Sequence, residues 1–290
     1  MSSSRLREVR EEDAEQVAAL FVAAFGSTRH IDAEEIRTWL RNEELKPELL
    51  RVLELGDGRI VGYGDLWIED DGVALDAAAP GHWEPFLEWA EERARAEGVP
   101  ARAYFPAGHE LAGIVEARGY RLWRSSFTME IEVAGTTFPE LPEGLVVQPY
   151  RPEDADELRA ALNETFAEDP FFHTVSPSNF REFYLRARGF DPGLWLLAWD
   201  GDELAGFALA YAGRGGDLDL GWVGTLGVRE PWRRRGLGKA LLRGAFHELS
   251  VRGLHRIGLG VDAENATGAV TLYEWVGMHI AQRNDNWVRD

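Results

Sequence analysis

Residues 226–242 read Leu226-Gly-Val-Arg-Glu-Pro-Trp-Arg-Arg-Arg-Gly-Leu-Gly-Lys-Ala-Leu-Leu242. An apolar strand end passes through a turn carrying Arg233, Gly236 and Gly238 and enters a helix. Glycine leaves the backbone open to close approach, and the first amides of a helix lack internal acceptors at the positive end of its dipole. A diphosphate suits such a place. Around this turn, residues 217–228 read as a long strand. Residues 235–252 read as a helix with an apolar stripe at Leu237, Leu241, Ala245 and Leu249, and 257–261 as a buried strand.

The arrangement Val228, Pro231, Arg233-x-x-Gly236-x-Gly238 resembles the coenzyme A pyrophosphate loop of the GNAT family of N-acetyltransferases. A second segment, Val261-Asp-Ala-Glu-Asn-Ala-Thr-Gly-Ala-Val-Thr-Leu-Tyr-Glu-Trp-Val-Gly-Met278, resembles the same family in the right order and at the right distance. The resemblance implies acetyl-CoA as cofactor, held by Leu226, Gly227, Val228, Arg233, Arg234, Arg235, Gly236, Leu237, Gly238, Lys239 and Asn265. It places Asn265 after a strand that splays from its neighbour, and makes Tyr273 the catalytic acid toward the thioester sulfur. An N–H near Leu226–Val228 would serve the acetyl oxygen.

The family resemblance also predicts a glutamate base in several members at the position where this chain has Trp222. An indole takes up no proton, so the base stays open among Asp219, Glu168, Asp169, a held water, or an amine of low pKa that needs none. The substrate side is assigned to Trp222, Asp219, Phe172 and His173. The aromatic run Phe166, Phe171, Phe172, Phe180, Phe183, Tyr184 and Trp195 reads either as a wall for the acceptor or as ordinary core.

The chain also matches itself. Arg10-Glu-Glu-Asp-Ala-Glu15 recurs as Arg151-Pro-Glu-Asp-Ala-Asp156, Asp57-Gly-Arg-Ile-Val-Gly-Tyr63 parallels Gly201-Asp-Glu-Leu-Ala-Gly-Phe207, and Ile114-Val-Glu-Ala-Arg-Gly-Tyr120 parallels Leu272-Tyr-Glu-Trp-Val-Gly-Met278. The first copy has Val115 for Tyr273 and Ala107 for Asn265, and Ala77–Pro85 stands where the second has its Arg-Gly turn. The expected fold is therefore α/β (α+β), two tandem GNAT-like domains, each a mixed, mostly antiparallel sheet flanked by helices. Residues 1–133 form a degenerate, non-catalytic domain, 134–144 a Pro- and Gly-containing linker, and 145–290 the active domain.

Composition narrows the function classes. The net charge of −19, from 50 acidic against 31 basic residues, disfavours nucleic acid as a partner. With no cysteine there is no disulfide, thiolate nucleophile or Cys-based metal site, and no His/Asp/Glu spacing implies a metal. The N-terminus lacks an apolar signal region and no stretch is long enough to span a bilayer, so no membrane partner and a cytoplasmic location are expected. The expected activity is acetyl transfer to the primary amine of a small molecule, directly in a ternary complex, by a monomer. A peptide N-acetyltransferase and a non-catalytic acyl-CoA sensor are the alternatives.

Overall fold

The computed structural model describes residues 4–26, 29, 31–41, 46–69, 71–168, 172, 174–214, 217–265 and 268–290. The chain divides into two compact units. The first is Met1–Phe127 with Asp262–Glu264 and Gln282–Asp290, and the second is Thr128–Val261 with Asn265–Ala281.

The first unit contains β1 (Ser4–Glu8), α1 (Ala14–Phe25), α2 (Ala33–Leu40), β2 (Leu50–Leu55), β3 (Ile60–Glu69), β4 (Gly72–Ala78), α3 (Glu84–Glu97), β5 (Ala101–Pro106), α4 (Leu111–Ala117) and the start of β6 (Arg121–Glu132). The second runs through β7 (Leu145–Pro149), α5 (Ala155–Thr165), α6 (Pro177–Asn179) with a π-helical continuation Phe180–Leu185, β8 (Phe190–Asp200), β9 (Glu203–Arg214), β10 (Asp217–Val228), α7 (Leu237–Val251), β11 (Arg256–Asp262) and α8 (Ala269–Trp275). The last strand, β12, is His279–Arg289.

In both units three antiparallel pairings are followed by one parallel pairing. β1 to β4 pair in succession and β4 runs parallel to β5; β7 to β10 pair in succession and β10 runs parallel to β11. The sequence repeats are local backbone devices of this shared plan. Asp13 and Asp154 each accept the backbone N–H of the arginine three residues earlier, at 2.8 Å, and so hold the entry to α1 and α5. Gly58 and Gly201 take positive φ in the β2–β3 and β8–β9 turns, as Gly119 and Gly277 do just after α4 and α8.

The expected division into 1–133, 134–144 and 145–290 differs from these units at the chain's end. Residues 284–289 of β12 pair antiparallel with β5, from Asn284 opposite Pro106 to Arg289 opposite Ala101, so the strand from Gln282 onward belongs with the first unit. Backbone ladders between strands far apart in sequence decide that membership, and periodicity carries no register. Residues 134–144, expected as a linker, lie along α7 within the second unit. Thr136 O is 3.0 Å from His247 Nδ1, and the Phe138 ring sits edge-on to His247.

The apolar stripe of α7 behaves as its spacing requires. Leu237, Leu241, Ala245 and Leu249 are all buried, each large one gaining about 1.5–3 kcal/mol from leaving water. On the other face of this sheet, Trp195, Phe207, Leu209, Leu158 and Leu162 form the second core cluster. Among the described residues no helix is long and apolar enough to cross a membrane.

Candidate active site

The site is built where β10 and β11 part. Their parallel register runs only from Leu220 opposite Arg256 to Val223 opposite Leu259. Beyond it β10 continues to Val228 paired on its other edge with β9. Arg229 N–H donates to Ala205 O at 3.0 Å across that antiparallel pair. In such a ladder every second residue turns its N–H and C=O away from the partner, so Leu226 and Val228 direct theirs to the edge that β11 has left. Gly227 lies between them because the Phe207 ring occupies the space of a side chain: a Cβ there would stand 2.3 Å from Phe207 Cζ.

After β10 the chain turns at Glu230–Trp232, pinned by the buried Trp232, whose Nε1 donates to Asp200 at 2.8 Å. Arg233 Nε donates back to Val228 O at 3.0 Å. Arg234 is the single non-glycine residue of positive φ among the described residues, at 63°, and Gly236 follows at 87° as the cap of α7. Those conformations swing the backbone so that the amides of Arg234, Arg235, Gly236, Leu237, Gly238 and Lys239 have no backbone acceptor among the described residues. The first returning helix bond is Ala240 N to Gly236 O, at 3.1 Å. At Gly238 an added Cβ would meet Val228 at 3.5 Å and Leu272 of α8 at 3.8 Å, which sets the start of α7 against the middle of α8.

Arg233, Arg234, Arg235 and Lys239 make no ion pair with a carboxylate among the described residues, although acidic groups outnumber basic ones 50 to 31. Arg235 Nη2 donates to Glu143 O at 3.4 Å. Six acceptor-free amides and four uncompensated cations within seven residues make a strong anion cradle.

Tyr273 on α8 is 8% exposed, and its hydroxyl has no hydrogen-bond partner among the described residues. Burial pushes its pKa up to about 12, so it stays protonated throughout the neutral range. Asn265 lies just before α8. Its Oδ1 accepts Ala269 N–H at 3.4 Å, in the first turn of α8.

Trp222 stands directly opposite Tyr211 on β9, and its ring lies against β11, where a Cβ on Gly258 would be 2.9 Å from the indole. Arg214 stacks on it with Cζ 3.5 Å from the ring centroid. The position is thus filled by an aromatic and a cation, and supplies no base. Asp219 is exposed near the start of β10, its N–H donating to Asp217 at 3.2 Å. Phe172 packs on Phe166 with ring centroids 5.5 Å apart, and Phe166 in turn on Phe207. His173, Phe171 and Asp169 lie outside the described residues. Of the remaining aromatic run, Phe180 and Trp195 are core, Tyr184 is half-buried against them, and Phe183 is exposed.

The corresponding region of the first unit, Ala77–Pro85, has one glycine and no arginine. The amides of Phe86 and Leu87 at the start of α3 both donate to Trp83 O at 3.1 Å, and the buried Trp83 packs edge-on against His109. Val115, at the place of Tyr273, is fully buried.

A model of the Acetyltransferase (GNAT) family matches residues 158–278. The chain is 30% identical over 287 residues to the mycothiol acetyltransferase of Streptomyces coelicolor, covering 95% of this chain and 91% of that one. It is 33% identical over 183 residues to the mycothiol acetyltransferase of Pseudarthrobacter chlorophenolicus, covering 61% of this chain and 56%, little more than half, of that relative. Among solved structures, a GCN5-related N-acetyltransferase from Sphaerobacter thermophilus superposes with a TM-score of 0.80 at 27% identity, covering 99% and 95% of the two chains. The chain belongs to the GNAT acetyltransferase family.

Proposed function

We propose that the protein is an acetyl-CoA-dependent N-acetyltransferase that acetylates a primary amine of a small molecule, with both reactants bound together. The observation that carries this reading is the run of acceptor-free amides from Arg234 to Lys239 among cations that lack carboxylate partners, directly after a strand whose outer edge is open. Its chemistry fits the diphosphate of an acyl-CoA. The names of the relatives support acetyl as the acyl group and a small molecule as the acceptor.

Bound acetyl-CoA supplies an acyl group activated as a thioester. The N–H groups of Leu226 and Val228, turned to the open edge of β10, are donors for an oxygen that gains negative charge there. Tyr273 Oη holds its proton up to about pH 12 and donates a hydrogen bond that strengthens as charge collects on a departing sulfur. Trp222 leaves the strand position without a proton acceptor, and an amine of low pKa, already neutral, needs none there. The first unit serves as scaffold: the stretch Ala77–Pro85 before α3 has no arginine, Pro80 and Pro85 offer no amide, and Val115 stands at the place of Tyr273.

Thiol release from acetyl-CoA across a panel of small amines and peptides tests this reading. Release with small amines and none with peptides is the expected result. Calorimetry on the full chain is expected to give one coenzyme A per chain, and two would overturn the scaffold role of the first unit.

A further inference from the structure

Two cations and an exposed ring extend the anion cradle along the surface. Lys239 in the first turn of α7 places Nζ 3.2 Å from the centroid of Trp275, the last residue of α8. Arg243, one helical turn further along α7, has Cζ 5.7 Å from the same ring. Trp275 is 60% exposed, although a residue of that size is ordinarily well covered. Neither Lys239 nor Arg243 has a carboxylate partner among the described residues, in a chain with a large acidic excess. Local structure does not account for the pair: no i,i+4 acid neutralises them, since position 235 is Arg and position 247 is His.

From this geometry we propose that Trp275, Lys239 and Arg243 form a subsite for the adenosine 3′-phosphate end of coenzyme A: the ring stacks the adenine and the two cations take the ribose phosphate. The inference rests on the reading that the chain binds acyl-CoA at the start of α7. The order along α7 supports it. Lys239 adjoins the amides offered to the diphosphate, and Arg243 lies about 6 Å further along the helix, within the reach of a nucleoside attached to that diphosphate. Exposed aromatics give a base a flat apolar partner, and a guanidinium or ammonium pairs a phosphate more strongly than it pairs a ring face. In the free protein the ring holds both cations beside the cradle; with ligand they move to the phosphate and uncover the ring.

Calorimetry of the full chain with coenzyme A, with dephospho-coenzyme A (which lacks the 3′-phosphate) and with phosphopantetheine (which lacks the adenylate) tests it. The unmodified protein is expected to bind coenzyme A about tenfold tighter than dephospho-coenzyme A. Arg243→Ala should abolish most of that preference and leave the affinity for dephospho-coenzyme A unchanged. Trp275→Ala should weaken both adenine-bearing ligands and leave phosphopantetheine untouched. Both side chains are exposed, and circular dichroism checks that the variants fold. Equal binding of the two coenzymes by the unmodified protein, or an undiminished preference in Arg243→Ala, overturns the subsite alone. Absence of coenzyme A binding altogether overturns the acyl-CoA reading on which it rests.

Discussion

Asp65 and Asp76 face each other directly across the β3–β4 ladder, and Arg29 forms an ion pair with Asp76. Asp65 is 7% exposed and accepts hydrogen bonds from Tyr63 Oη at 2.7 Å and Trp67 Nε1 at 2.8 Å. Burial, followed by the neighbouring charge of Asp76, pushes its pKa up to about 7, and those two donors and Arg29 only partly oppose the shift.

The sign of the resulting pH dependence follows from linkage. The folded chain holds the Asp65 proton more tightly than the unfolded one, whose carboxyl titrates near pH 4, so the stability Asp65 contributes is fully present below about pH 4 and is lost as pH rises through about 7. Asp65→Asn should remove this loss, on the order of 1 kcal/mol or more between pH 5 and 8. Urea midpoints measured across that range check it, and parallel pH curves for the two proteins would refute it.

Tyr273→Phe removes one oxygen from a buried ring and keeps its packing. Turnover should fall about 100-fold or more while the Kd for coenzyme A changes little. A chain that only sensed acyl-CoA would have no turnover to lose. Because burial raises the Tyr273 pKa to about 12, no loss of activity from its ionisation is expected below about pH 11.

With Trp222 where a base would stand, kcat/KM should follow the neutral fraction of the acceptor amine. It should rise about tenfold per pH unit and level off at that amine's own pKa. Two acceptors of different pKa should shift the plateau correspondingly. A plateau fixed near neutral pH for both would show that a protein group takes the proton.

Gly227→Ala drives a methyl into the Phe207 ring. A loss of roughly 1–3 kcal/mol in stability is expected, as for overpacked cores, together with weaker coenzyme A binding as β10 shifts. Phe207→Leu in the same chain should recover part of the stability. No recovery would mean that the strain lies elsewhere.

Much of the candidate site was legible because it is local. The glycines at 236 and 238, the arginines before them and the apolar stripe behind them are neighbours in sequence, and a helix start needs nothing distant to leave its amides free. Asn265 and Tyr273 were likewise readable from one short segment, although the bond from Asn265 to the first turn of α8 was not. The repeats were readable for the same reason: Asp13 and Asp154, Gly119 and Gly277 each act within a few residues of themselves.

The sequence by itself determined the two copies of one strand and helix order, the anion-cradling turn, and the absence of a carboxylate at position 222. Tertiary structure alone decided that residues 282–290 complete the first unit, at which residues β10 and β11 part, and that Trp275 meets Lys239 and Arg243. Each of these depends on which distant backbone edges and side chains are brought together. Pairing register and convergence of remote residues are set by the packing of the whole unit, and no local pattern encodes them.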